Sequence, residues 1–188
     1  GIAGTMEEAL YKGMIAAGYY MKRNGGILIS VRDTDKKDLK ELAKAYVSMG
    51  FTIYATEGTA RKLNSAGISS TIVKKPKEAD EGEETTISVM EKGRISYVLS
   101  TSVTGRQPDR DSVRLRRKAV ELGIPCLTSL DTAAVLALSL ESKYDEDNVE
   151  LIDIAHIIHG AADQDEARQI KNAEDIHIPG YVLQGHAD

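Results

Sequence analysis

The amino-acid sequence predicts an α/β fold: a doubly wound, Rossmann-like sheet of five parallel strands with helices on both faces. Short, almost wholly apolar runs alternate with segments whose apolar residues recur at helical spacing. Glycines stand where the helices should end, and hydroxyl residues stand where several should begin. Strands that are joined by helices of this length form right-handed crossovers, which make the sheet parallel.

The composition is that of an ordinary globular chain of about one domain's size. The chain has 188 residues, of which 41% are hydrophobic and 28% are charged, and its formal net charge is −5. This acidic balance argues against nucleic acid or an anionic membrane surface as a general partner. No apolar run approaches the ~20 residues that span a bilayer. Because Cys126 is the only cysteine, we expect a cytoplasmic protein without an intrachain disulfide.

The first elements in chain order are a leading helix, a strand and a second helix. The residues from Thr5 to Glu8 form a capping-box pattern that opens the leading helix, and Gly18 is placed to end it. The apolar run Ile27–Val31 is the first predicted strand, since strands covered on both faces lack alternation. Thr34 is expected to cap the helix that follows and ends before Gly50.

The same unit then repeats twice. A predicted strand, Phe51–Ala55, leads into a helix that Thr56 should cap and Gly67 should end. The third predicted strand is Ser70–Lys74. The charged segment Pro76–Glu84 is expected to form a mobile loop that closes over a ligand, and a short helix follows it.

The remaining elements complete the layer. The fourth predicted strand is Ile95–Ser100, followed by a helix over Asp111–Leu122. The fifth is Ile124–Leu127, and a last helix spans Leu130–Leu140. The chain is therefore divided into a leading helix at 1–24, an α/β region at 25–141 and a C-terminal extension at 142–188.

The strand-to-helix loops carry the residues that fit an anion. In open α/β sheets, ligands bind beyond the carboxyl ends of the strands, where helix N-termini offer free N–H groups. Thr56 and Thr59 flank Gly58 at one predicted helix start, and Lys36 and Lys75 follow neighbouring strands. Hydroxyls, N–H groups and ammonium groups can converge on a phosphate. The alternative interpretation is that Thr56 only caps its helix and the lysines are solvated.

Motifs in these loops also resemble a known family. In chain order they are Leu28-Ile29-Ser30-Val31-Arg32-Asp33, Ala55-Thr56-Glu57-Gly58-Thr59-Ala60, Gly105-Arg106-Gln107-Pro108 and Arg116-Arg117-Lys118-Ala119. Together they resemble the methylglyoxal-synthase-like C-terminal domain of the carbamoyl phosphate synthetase large chain, over roughly Gly26 to Leu140. The leading Glu7–Gly13 is similar to the last helix of the preceding ATP-grasp half. The resemblance therefore implies that this chain is a fragment of that subunit.

The resemblance implies a regulatory domain rather than a catalytic one. It implies a small phosphorylated effector of the UMP or IMP type, with N-acetylglutamate as the counterpart in urea-cycle enzymes. It implies no catalytic residue and no cofactor in this chain, with ATP and Mg or Mn acting in the parent enzyme of arginine and pyrimidine synthesis. The implied protein partners are the synthetase halves and the glutaminase small subunit. The positions that match the effector phosphate are Ser30, Lys36, Thr56, Thr59 and Lys75, and those that match the nucleotide edge are Ser100, Thr101 and Ser102.

Two positions depart from the family pattern. Ser100 stands where many bacterial members have Asn, which affects recognition of the base or ribose. Leu127 stands before Thr128 where the ornithine-responsive type has Asp. Activation by ornithine is therefore not expected.

The sequence leaves an enzyme as one alternative. Methylglyoxal synthase shares the implied fold and uses a carboxylate as its base, and Glu83 in Gly82-Glu83-Glu84 stands at the matching place. The enzyme's histidine stands beside a Pro-Asp segment, which Pro108-Asp109 matches here. Neither Arg32, which stays charged, nor Asp109, whose unperturbed pKa is about 3.9, can replace an imidazole as a proton shuttle at neutral pH. We therefore expect no independent catalysis.

The sequence also leaves open a docking module and a metal centre. The candidate interface residues are Tyr11, Tyr19, Tyr20 and Met21, and the alternative is that they pack on this domain. His156 and His159 have the spacing of a ligand pair. Two histidines without a third ligand are a weak pattern, so no metal ligand is predicted.

Overall fold

The protein is described by a computed structural model that covers residues 1–101, 110–145, 147–149 and 151–152. The strands are β1 (Gly25–Ser30), β2 (Phe51–Thr56), β3 (Thr71–Val73), β4 (Ile95–Ser100) and β5 (Cys126–Leu127). The α-helices are α1 (Met6–Ala16), α2 (Leu39–Ser48), α3 (Glu57–Ser65), α4 (Thr86–Glu91), α5 (Arg110–Glu121) and α6 (Leu130–Glu141). A short 3-10 helix, Asp33–Lys37, precedes α2. No helix within these ranges is long and apolar enough to cross a membrane.

The strands form one parallel sheet in the order β3-β2-β1-β4-β5. β1 is central, so that Ile27 pairs with Ile53 of β2 on one side and with Tyr97 of β4 on the other. After β3 the chain crosses back over the sheet to β4, and the strand order therefore reverses between β1 and β4. This is the place where ligands bind in sheets of this kind.

Helices cover both faces of the sheet, as the side chains of β1 show. Ile27 and Ile29 lie in one buried core together with Tyr46 of α2 and residues of α3 and α6. Leu28 lies in a second core on the opposite face, together with Leu115 of α5 and residues of α4. An unbroken apolar run is needed because each face meets a helix layer. The predicted fold class is confirmed.

Two local predictions were wrong. Thr34 does not cap α2, because the chain first forms the 3-10 helix and the N-cap position of α2 is Asp38. The Thr34 hydroxyl instead donates to Asp35 Oδ1 at 3.1 Å, a local side-chain bond that competes with capping. The last strand does not start at Ile124, whose N–H donates to the Ala119 carbonyl at 2.8 Å at the end of α5. Pro125 has no N–H to pair with a neighbouring strand.

The leading helix packs against α6. Thr5 caps α1 as predicted, since its hydroxyl accepts a hydrogen bond from the Glu8 N–H at 3.4 Å. The ring of Tyr11 lies 5.8 Å from that of Tyr144, whereas Tyr20 is 87% exposed. Residues before 25 and after 141 therefore contact each other in the described part of the chain. The division at 24 and 141 stays a prediction.

Candidate functional site

A cavity of about 600 Å³ lies at the carboxyl edge of the sheet, at the reversal between β1 and β4. The ends of β1 and β4, the 3-10 helix, the first turn of α3 and the segment after β3 all contribute to its wall. Five of the predicted site residues line it: Ser30, Lys36, Thr56, Lys75 and Thr101. Sequence reasoning did not select the other eight lining residues, which are Val31, Arg32, Asp33, Glu57, Gly58, Arg61, Glu78 and Ser112.

Two further predicted residues, Thr59 and Ser100, do not line this cavity. Thr59 is buried behind Thr56, and the Thr56 hydroxyl donates to Thr59 Oγ1 at 3.4 Å. Ser100 is fully buried next to Ser30 in the sheet, and its hydroxyl has no hydrogen-bond partner among the described residues. Ser102 lies outside the described residues, as do Asp109 and the motif at 105–108.

Lys36 reaches the start of α3 because position 58 is glycine. A Cβ built on Gly58 would lie 2.8 Å from the Lys36 Nζ. The ammonium group therefore lies over the backbone of the first turn of α3. The first N–H groups of a helix have no intrahelical acceptor and form the positive end of its dipole. Lys36 and the α3 N-terminus together make a place for an anion.

Thr56 is at the N-cap position of α3 but does not cap the helix with its side chain. Its backbone is extended, as an N-cap residue requires, yet its hydroxyl makes no capping hydrogen bond. The expected position is therefore confirmed and the expected bond is wrong. The Thr56 side chain lines the cavity beside the uncapped first turn, so it can bind an anion together with that turn.

Carboxylates accompany the cations of the cavity. Asp33 forms an ion pair with Lys36, and Glu57 pairs with both Arg61 and Lys74. The hydrogen bond from Lys36, together with its charge, holds the pKa of Asp33 below its usual value. Hydrogen bonds from Arg61 and Lys74 do the same for the pKa of Glu57. An anion in this cavity must therefore compete with ionised side chains for its cations.

The turn around Asp35 is joined to the end of β4 through Arg32. Asp35 Oδ1 accepts hydrogen bonds from Arg32 Nε at 2.7 Å and from the Thr34 hydroxyl at 3.1 Å. Burial alone would raise the pKa of Asp35, but these bonds and the charge of Arg32 outweigh it and lower that pKa. Thr101 Oγ1 accepts from the Arg32 N–H at 3.0 Å, and the Thr101 N–H donates to the Ser30 carbonyl.

The residues of the enzyme and metal-centre interpretations lie elsewhere. Glu83 is exposed and accepts a hydrogen bond from the Asp80 N–H at 2.9 Å, and Glu84 pairs with Lys92 and Arg94. Neither of these carboxylates is among the lining residues of the cavity. His156 and His159 lie outside the described residues, and no group of three or more potential metal ligands occurs in the described ranges.

Comparison with protein families gives a match over part of the chain. Residues 38–128 match the family model described as MGS-like domain. This part of the chain is therefore similar to MGS-like domains, and the five-stranded parallel sheet with its helices is consistent with that similarity. Thr56, Thr59, Lys75, Ser100 and Thr101 fall within the match, whereas the end of β1 and Lys36 precede it.

Proposed function

We propose that the cavity binds the phosphate of a small nucleotide effector of the UMP or IMP type. The placement of Lys36 over Gly58 at the start of α3 carries this proposal. Thr56 stands beside the same turn, and Lys75 lines the cavity from the segment after β3. Phosphate oxygens are bound by such combinations of ammonium, hydroxyl and helix N–H groups. The remaining volume of the cavity, which is about 600 Å³ in total, has room for a sugar and a base.

We further propose that this binding regulates a carbamoyl phosphate synthetase large chain. The support is the order of the motifs around Arg32, Gly58 and Arg116, together with the similarity to MGS-like domains. The synthetase halves of the large chain would then be its neighbours, and the glutaminase small subunit a further partner, in the cytoplasm. ATP and Mg or Mn belong to those synthetase halves in this proposal. Neither group is assigned a site on this domain.

Calorimetric titration tests the binding step. UMP, IMP and inorganic phosphate are titrated into the wild type, Lys75→Ala and Lys62→Ala. Lys62 lies on α3 and is exposed, but it does not line the cavity, so it controls for the loss of one positive charge. We expect Lys75→Ala to weaken nucleotide binding about ten- to a hundredfold, with Lys62→Ala close to the wild type. Saturable binding that both variants retain would place the site elsewhere.

The coding sequence upstream of Gly1 tests the parent enzyme separately. The proposal expects two ATP-grasp halves there, because the ligase chemistry of the parent resides in them. A start codon immediately before Gly1 would contradict the large-chain assignment. The binding proposal is tested by the titration alone and does not depend on this result.

A further inference from the structure

We propose that Asp35 is a positioning residue for anion binding: it fixes the turn that carries Lys36 against the end of β4. This inference rests on the proposed function, since it concerns the same cavity. Asp35 is the residue before Lys36 in the 3-10 helix. Its Oδ1 accepts from Arg32 Nε, and the Arg32 N–H donates to the Oγ1 of Thr101, which follows β4 directly. These two bonds therefore link two loops that meet at the reversal of the strand order.

The surroundings of Asp35 are those of a structural anchor rather than of a surface carboxylate. Only 9% of the residue is exposed. Its Oδ1 accepts from Arg32 Nε and from the Thr34 hydroxyl, both on its own turn. Hydrogen bonds to charged groups are stronger than those between neutral groups. The arrangement can hold the turn in one conformation.

Thr101 is committed to the same arrangement. Its hydroxyl accepts from the Arg32 N–H at 3.0 Å, while its own N–H donates to the Ser30 carbonyl at 3.2 Å. Because its hydroxyl and its N–H are both bonded to protein backbone, its role at the cavity is to hold the wall. Asp35, through Arg32, and Thr101 thereby set the backbone path from which Lys36 reaches Gly58.

The direction in which anion affinity changes when the Asp35 charge is removed distinguishes the positioning role from simple charge repulsion. A negative charge beside an anion site repels the ligand, so removing it should strengthen binding if charge alone matters. The positioning role gives the opposite result. Loss of the Asp35 charge would loosen its bond to Arg32, whose N–H is bonded to Thr101, and Lys36 would then spend less time over the start of α3.

Titration of inorganic phosphate into Asp35→Asn and Asp33→Asn tests the direction of the change in affinity. Both variants lose one negative charge from the same turn, but the Asp33 side chain is 93% exposed and pairs directly with Lys36. We expect Asp35→Asn to bind phosphate about tenfold more weakly. Asp33→Asn should bind it at least as tightly as the wild type, because Lys36 loses a competitor. An affinity of Asp35→Asn equal to or above that of the wild type would overturn the proposal.

A double-mutant cycle with Lys36→Ala tests whether Asp35 acts through Lys36. If it does, Asp35→Asn should weaken binding much less when Lys36 is already absent. A loss that persists in full in the Lys36→Ala background would show a general structural defect and would also overturn the proposal. Thr101→Val removes the hydroxyl that accepts the Arg32 N–H, and it should weaken phosphate binding in the same direction if Asp35→Asn does not fold. Unchanged binding by Thr101→Val would then count against the proposal.

Different experimental results would overturn the proposed function and the positioning role of Asp35. Phosphate and nucleotides that do not bind the wild type would overturn the proposed function and this inference together. Binding by the wild type that depends on Lys75 but not on Asp35 would overturn only the positioning role.

Discussion

The ammonium group of Lys36 lies over Gly58, so close that a Cβ at position 58 would stand 2.8 Å from Nζ. The two residues belong to different elements: Lys36 to the 3-10 helix after β1, and Gly58 to the first turn of α3. Their approach brings a positive side chain to the positive end of a helix. Two positive ends that face each other favour an anion between them.

Gly58→Ala should separate anion binding from stability. Alanine in a helix is favoured over glycine by about 0.5–1 kcal/mol, and the group that it would meet is the mobile end of a lysine. We therefore expect an equal or higher melting temperature together with weaker phosphate binding, because Lys36 must move away. The measurements are thermal unfolding and calorimetry on the same sample. An unchanged affinity would mean that Lys36 does not need this position.

Thr56→Ala and Thr59→Ala should have different effects on stability. Because Thr56 makes no capping bond, its loss should leave stability almost unchanged while it weakens phosphate binding. Thr59 is only 1% exposed, so its truncation should lower the free energy of unfolding by about 1 kcal/mol. The capping role that the sequence predicted for Thr56 would have given the reverse order of stability. Urea titration of both variants checks it, and a larger loss in Thr56→Ala would restore the capping role.

Acidification should lower the free energy of unfolding of the wild type more than that of Asp35→Asn. The pKa of Asp35 is lowered in the folded state, so its contribution to stability is present above the unfolded pKa of about 3.9. That contribution is lost as the pH falls towards the folded pKa. The difference in unfolding free energy between the two proteins should therefore shrink between about pH 5 and pH 3. Urea titrations across this range measure it, and a constant difference would contradict the prediction.

Hydrogen exchange should distinguish the loop at 76–84 from its base. The chain is pinned where the Lys74 N–H donates to the Glu84 carbonyl and the Thr86 N–H donates to the Lys74 carbonyl, both at 2.9 Å. Glu78, within the loop, lines the cavity. We expect fast exchange at the tip, slow exchange at the base and increased protection of the tip with saturating nucleotide. Equal protection with and without tightly bound nucleotide would argue against a lid.

The isolated chain should not convert dihydroxyacetone phosphate to methylglyoxal. Glu83, the carboxylate at the place of the enzyme's base, is exposed and does not line the cavity. A colorimetric assay for methylglyoxal should give the blank rate for the wild type. Turnover above the blank that disappears in Glu83→Gln would show catalysis and replace the regulatory proposal.

Local pattern was sufficient to predict the layers of this fold but not the bonds within its loops. An apolar run such as Ile27–Ile29 predicts a strand that is covered on both faces, whatever its neighbours are. The Arg32 N–H and the Thr101 hydroxyl, in contrast, meet although they are 69 residues apart in the chain. No periodicity connects them, so neither the role of Asp35 nor that of Thr101 in holding the turn was predicted.

The candidate site, like the fold, could be predicted only in part from the sequence. Lys36, Thr56 and Lys75 were predicted from their positions after the strands, because parallel strands place such residues at a common edge. The contact between Lys36 and Gly58 depends on the side-chain path across two loops. A glycine in a helix start is also common for backbone reasons, so its effect on Lys36 emerges only in three dimensions.

The short outer strands of the sheet limit what another chain can pair with. β3 has three residues and β5 has two, and beyond β3 the backbone of Lys74 is already bridged to Thr85. Pro125, just before β5, offers no N–H. An unpaired edge is the usual template for sheet-to-sheet aggregation. In the described ranges, both margins of this sheet therefore present few free backbone groups, and aggregation by strand addition should start elsewhere in the chain.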